Sequence, residues 1–133
     1  MATGTLFEGG SPHARSHETF CYQLPVLATL TFFLTAPTLA ITHRIYDEFV
    51  KSTAVRKDRY DGSTKAKKQS VQIRVAESWA EIQSAELLVA EIARIFDRAS
   101  ELGEPFDVQT RVEVKMRASY AVTLCRRAAD RLF

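Results

Sequence analysis

With 133 residues, 46% hydrophobic and 26% charged, the chain holds the material of one ordinary globular domain with a modest core, which excludes general disorder. A formal charge of +2 is too small to argue for nucleic acid unless the cations are concentrated in one place. Two cysteines, Cys21 and Cys125, form no CxxC pair and have no metal-ligand neighbours in sequence, so a reduced, cytoplasmic chain is expected rather than a disulfide scaffold.

Residues 1–19 are rich in Gly, Ser, Thr and His and include Gly9-Gly10-Ser11-Pro12, which predicts an irregular arm. His13 and His17 stand four apart, a spacing that could hold a metal on a helix. The glycines and Pro12 argue against that helix, so a solvated pair is expected and no metal site is assigned.

Residues 20–133 read as a helical bundle. The first helix, about 24–52, carries Leu24, Leu27, Leu30, Phe33 and Leu34, then Leu39, Ile41, Ile45, Tyr46, Phe49 and Val50, and is apolar over much of its girth. Pro25 suits a first turn, where its missing N–H is not needed, and Pro37 is expected to kink the rod near Phe33 or free a carbonyl there. Val26–Ile41 also invites two other readings, a short transmembrane span or a signal-peptide core with Thr38-Leu39-Ala40 as its cleavage site. The stretch falls short of the about 20 residues that span a bilayer and contains four threonines and a proline. More than twenty mixed residues precede it, so a buried bundle helix and no membrane are expected.

Residues 51–69 concentrate charge: Lys51, Arg56, Lys57, Arg59, Lys65, Lys67 and Lys68 against Asp58 and Asp61, with Asp61-Gly62-Ser63 marking a turn. Any single lysine here reads as solvated. Together they read as an anion site delivered to the start of the next helix, one that a flavin phosphate or pyrophosphate would fit. RNA is disfavoured, because Tyr60 is the only aromatic interleaved with these charges.

The central helix, 69–102, would be a rod of about 50 Å, too long to hide in so short a chain. Val75, Trp79, Ile82, Ala85, Val89, Ile92, Phe96 and Ala99 follow at steps of three or four and define the face expected to be buried; Glu77, Glu81, Glu91, Arg94 and Asp97 lie on the face expected to be solvated. Gly103 can take the left-handed C′ position and Pro105 forbids continuation. In the last helix, 107–132, Asp107 can cap, and Val114, Ala118, Ala121, Cys125, Ala128 and Leu132 alternate at steps of four and three. Cys125 on that stripe reads as a buried structural thiol rather than a nucleophile. Three long helices with short connections imply an all-α antiparallel bundle with a groove left open for a partner. No Gly, Pro or polar tail follows Arg131-Leu132-Phe133, so the terminus is expected to fall inside a helix.

Gln69-Ser70-Val71-Gln72-Ile73-Arg74-Val75-Ala76-Glu77 resembles the start of the second helix in the C-terminal bundle of acyl-CoA dehydrogenase-like flavoproteins. Tyr22-Gln23-Leu24-Pro25, Ala36-Pro37-Thr38-Leu39-Ala40-Ile41 and Asp47-Glu48-Phe49-Val50 resemble the branch of flavin-dependent monooxygenases supplied with reduced flavin by a separate reductase. Gly103-Glu104-Pro105 stands at a bundle junction, and Ala128-Ala129-Asp130-Arg131-Leu132-Phe133 resembles the end of the third helix.

The resemblance implies FMN or FAD as cofactor, a flavin reductase as partner, homo-oligomers, and hydroxylation of an aromatic or polyketide-like ring in the complete enzyme. It also implies an N-terminal helical domain and a β domain that this chain lacks, and a fourth bundle helix expected after Phe133. The chain would then be an incomplete version of a four-helix bundle. Catalytic Glu or His residues of the family would fall in that later part, so no catalytic residue is assigned and the chain alone is expected to be silent. The family's Arg-x-x-Phe-Gly motif meets Arg56-Lys57-Asp58-Arg59-Tyr60-Asp61-Gly62 with the aromatic and the Gly out of register. Arg56 alone is carried over, as a flavin-phosphate contact. A stand-alone helical interaction module, and a membrane-anchored or exported helical protein, are the other readings.

Overall fold

The computed structural model describes residues 24–59, 62–104 and 106–133. The predicted arm with His13 and His17, and also Cys21 and Pro105, lie outside the described residues. Three long helices follow in chain order: α1 (Val26–Val55), α2 (Gln69–Leu102) and α3 (Val108–Leu132), with a single 3-10 turn at Lys65–Lys67. No named strand occurs among the described residues, and the expected all-α bundle is what forms.

Side-chain pairs fix the helix directions. Phe32 meets Phe96 while Tyr46 meets Trp79, so α1 and α2 run antiparallel; Ser78 bonds the Ala128 carbonyl while Ile92 clusters with Val114 and Ala118, so α2 and α3 do too. The ends are set locally. Pro25 stands as the N-cap of α1 rather than in its first turn, and its carbonyl accepts the Thr29 N–H at 3.1 Å. Gly103 adopts φ 65°, the left-handed geometry that only glycine takes cheaply, and closes α2 on the Ala99 carbonyl. Asp107 caps α3 by accepting the Thr110 N–H at 2.7 Å. Helix α1 passes through Pro37 unbroken in its assignment and continues to Val55, three residues beyond the expected end. The following segment is not a plain loop: Lys57 and Thr64 pair as an isolated bridge, the Asp58 N–H donates to the Ser63 carbonyl at 2.7 Å, and Gly62 sits at φ 68°.

The small-residue seam of α3 is the centre of the molecule. Val114, Ala118, Ala121, Cys125, Ala128 and Leu132 are all buried, as their spacing predicts. One half of the core joins Leu24, Ala28, Ile92, Phe106, Val114 and Ala118, with Phe96 edge-on to Phe106 at 4.9 Å; the other joins Ala85, Ala121, Leu124 and Cys125.

On α2 the expected face needs correction. Ile82, Ala85 and Ile92 are buried and Val75, Val89, Phe96 and Ala99 half-buried, but Trp79 is 42% exposed and its neighbour Ser78 is fully buried. The physical reason is size. Where α2 and α3 approach closely enough for the Ser78 hydroxyl to reach the Ala128 carbonyl at 3.3 Å, an indole does not fit, so Trp79 lies to the side against Tyr46 of α1. The same rotation carries Glu81, expected in solvent, into the α2–α3 boundary.

Helix α1 is inverted relative to its hydropathy. Ala28, Thr35, Thr42 and Thr53 are its buried positions, whereas Leu27, Leu30, Phe33, Leu34 and Ile41 are exposed. Threonine is admissible inside because each hydroxyl bonds the carbonyl one turn back, Thr35 to Thr31 at 2.8 Å and Thr42 to Thr38 at 2.8 Å, leaving only methyl surface toward the neighbours.

Candidate functional site

Arg56 ends α1 with extended backbone angles, and its carbonyl accepts the Lys65 N–H at 2.9 Å. That bond ties the helix end to the 3-10 turn. Four-residue steps place Arg44, Glu48, Ser52 and Arg56 in one row of α1, with Ile45, Phe49 and Thr53 in the adjacent row. Both rows line a cleft of about 620 Å³ whose other walls are Lys65, Val71 and Arg74, and Leu132 and Phe133 at the end of α3.

The electrostatics are one-sided. Arg44, Arg56, Lys65 and Arg74 face the cleft against Glu48 alone, a formal side-chain charge of three where the whole chain nets +2. Glu48 is already engaged, by Arg44 at 3.1 Å and Lys51 at 3.8 Å. Arg56, Lys65 and Arg74 have no carboxylate within ion-pair distance among the described residues. Phe49, Val71 and Leu132 supply an apolar wall beside these cations. Such a donor set fits a phosphoryl anion carried on an apolar body.

The cations predicted from the charge run divide. Arg56 and Lys65 reach the cleft; Lys57, Arg59 and Lys67 are exposed outside it, and Lys68 is paired with Asp58. Arg44 and Arg74 were not singled out as anion-site residues. The four-step row from Arg44 to Arg56 points to the first, whereas Arg74 reaches the cleft only because the pairing of Lys57 with Thr64 and of Arg56 with Lys65 brings α2 back beside the end of α1.

Two further concavities lie elsewhere on the bundle. A cleft of about 450 Å³ between α2 and α3 pairs its own charges, Arg98 with Glu91 at 3.1 Å and Arg117 with Glu113 at 2.8 Å. Another of about 390 Å³, between the starts of α1 and α3, is lined by Leu27, Ala28, Val108 and Val112, with Arg111 and Lys115 beside them. His43, on α1, contacts Glu86 of α2 at 2.7 Å, and the described residues contain no cluster of three His, Cys, Asp or Glu able to hold a metal. Cys125 is a free, buried thiol whose pKa that burial pushes up. Helix α1 is long and apolar enough to cross a membrane by length and composition alone.

No curated protein and no solved structure matches the chain. The family described as "Acyl-CoA dehydrogenase, C-terminal domain" matches residues 32–133, which takes in most of α1, the basic turn, α2 and α3. An all-helical bundle over that same span is the architecture such a domain requires, and the chain therefore belongs to the family of acyl-CoA dehydrogenase C-terminal domains.

Proposed function

We propose that this chain serves as the C-terminal bundle of a flavin-dependent oxidoreductase of the monooxygenase branch, and that Arg56 contacts the flavin phosphate. Family membership supports a flavoprotein, with FAD as the cofactor the family implies. The observation that carries the rest is the cleft at the end of α1, where Arg56, Lys65 and Arg74, with no carboxylate within ion-pair distance among the described residues, stand beside an apolar wall. Flavin would supply the redox chemistry when bound. This chain's residues would hold its phosphate end and pack the helices, in a cytoplasmic protein that forms homo-oligomers and receives reduced flavin from a reductase. The exposed leucines and Phe33 of α1 support the oligomer, since monomers rarely leave so continuous an apolar stripe in water.

A fluorescence titration tests the assignment. FMN or FAD should bind weakly, riboflavin more weakly still, and the affinity should fall with salt because exposed charges are screened within about 8 Å at physiological ionic strength. Arg56→Ala should weaken FMN binding. Equal behaviour of FMN and riboflavin would sink the flavin reading and favour a helical interaction module, for which the apolar face of α1 is the supporting observation.

A further inference from the structure

Helix α3 buries its seam of small residues and carries a second apolar row on its outer side. Val108, Val112 and Met116, at steps of four, are 67%, 60% and 62% exposed. Val108 and Val112 form one wall of the cleft of about 390 Å³ whose other wall is Pro25, Leu27, Ala28 and Thr31 at the start of α1. Arg111 and Lys115 line the same cleft, and no carboxylate does. Lys115 is exposed with no carboxylate within ion-pair distance among the described residues, while Arg111 is held beside the cleft by a bond from its Nε to the Asp107 carbonyl at 3.3 Å. The acids at this end of α3 are engaged: Asp107 accepts the Thr110 N–H at 2.7 Å, and Glu113 meets Arg117 at 2.8 Å. An exposed apolar row with cations beside it is the pattern of a helix that lies on an anionic lipid surface.

We infer that the first half of α3, with Leu27 of α1, docks the chain on the surface of an anionic bilayer, Val108, Val112 and Met116 entering the headgroup layer while Arg111 and Lys115 meet lipid phosphates. A second copy is the wrong occupant, because two-fold pairing through this row would set the same cations of both chains against each other. The stripe of α1 from Val26 to Thr42 contains no charged residue and is free of that conflict, so the self-association proposed above belongs there. A partner helix needs a groove along the whole row, whereas the cleft reaches Val108 and Val112 but not Met116. Fluid lipid closes over a convex helix without such a match. The docking is peripheral: α1 is long and apolar enough to cross a membrane, but its buried Ala28, Thr35 and Thr42 seat it in the bundle. None of this depends on the flavin reading.

Flotation of the full 133-residue chain with phosphatidylcholine vesicles, with and without phosphatidylglycerol, is the test. The chain should float with the anionic vesicles alone, and less as salt is raised. Arg111→Gln with Lys115→Gln should weaken binding about 25-fold, since each cation near such a surface contributes about fivefold. Val112→Asp should abolish flotation yet leave circular dichroism and the sedimentation of the lipid-free chain unchanged, which separates this row from the self-association stripe. Lys67→Ala, an exposed cation outside the row, should float as the wild type does. Equal binding to neutral vesicles, no binding to either kind, wild-type flotation of Val112→Asp, or a loss in Lys67→Ala matching that of the double variant would overturn the inference. A smaller multimer in Val112→Asp would hand the row to a second copy, and binding of a synthetic Glu- and Leu-rich helical peptide in place of vesicles would hand it to a protein partner; either result also overturns it.

Discussion

Two residues apart on α2, Trp79 and Glu81 occupy environments opposite to their hydropathy. The indole, tilted against Tyr46 at 5.1 Å, keeps much of its surface in water, while the Glu81 side chain is 13% exposed and accepts from Arg131 at 2.6 and 3.1 Å and meets Arg127 at 2.9 Å. Removing the carboxylate leaves Arg131 half-enclosed without its main partner, a loss of about 1–3 kcal/mol; removing the indole forfeits an aromatic pair and part of its buried area, about 1–2 kcal/mol. Urea midpoints should therefore place Glu81→Ala at or below Trp79→Ala, the reverse of what hydrophobic spacing predicts. Acid supplies a second check. Bonding to Arg131 holds the Glu81 carboxyl below its ordinary value, against the opposing pull of burial. The stabilisation is thus complete above the unfolded carboxylate range and drains away as pH falls through the lower folded value. Stability of the wild type should drop across that window, and Glu81→Gln should show a shallower drop; identical slopes would mean that the pair contributes nothing.

At the scale of the helix, legibility depended on whether the apolar pattern had a phase. On α3 it did: six small or aliphatic residues at steps of four and three run the length of the helix and are all buried, whereas the rival row Val108, Val112, Met116 and Tyr120 stops halfway and lies exposed. Helix α1 is apolar on nearly every side between Val26 and Ile41, so spacing alone could not say which side turns inward. Size decided it instead, with Ala28, Thr35 and Thr42 admitting a close neighbour and the bulky side chains turned away. A close approach of this kind is intolerant of volume. Ala121→Leu, at a position with no exposed surface, should cost about 1–3 kcal/mol by overpacking, measured as a lower urea midpoint with unchanged slope. Wild-type stability in that variant would show that α3 is not seated against α1 and α2 as described.

For the molecule as a whole, the sequence located the region of the candidate site but only part of its membership. Arg56 and Lys65 stood out in a run of cations; Arg74 could not, since a lone arginine early in an amphipathic helix looks like any solvated residue until the chain is folded back on itself. The outward stripe of α1 has its own test. The 15.0 kDa chain should sediment as a multimer, and Phe33→Asp with Leu34→Asp, at positions 64% and 63% exposed, should release monomers without unfolding them. A wild-type monomer at high concentration would leave that stripe without a protein partner.

The thiol of Cys125 turns this packing into a clock. It lies on α3 with 1% of its surface exposed, in a core cluster that Leu39 of α1 packs against, so no alkylating reagent reaches it while the helices stay together. In a Cys21→Ser background, the rate of its modification by iodoacetamide would then count openings of the native bundle. Labelling should be far slower than for the same thiol in urea. If Ala121→Leu speeds it in proportion to the stability lost, the helices part only on global unfolding; a larger acceleration would reveal α1 swinging free while α2 and α3 remain joined through Glu81 and Arg131.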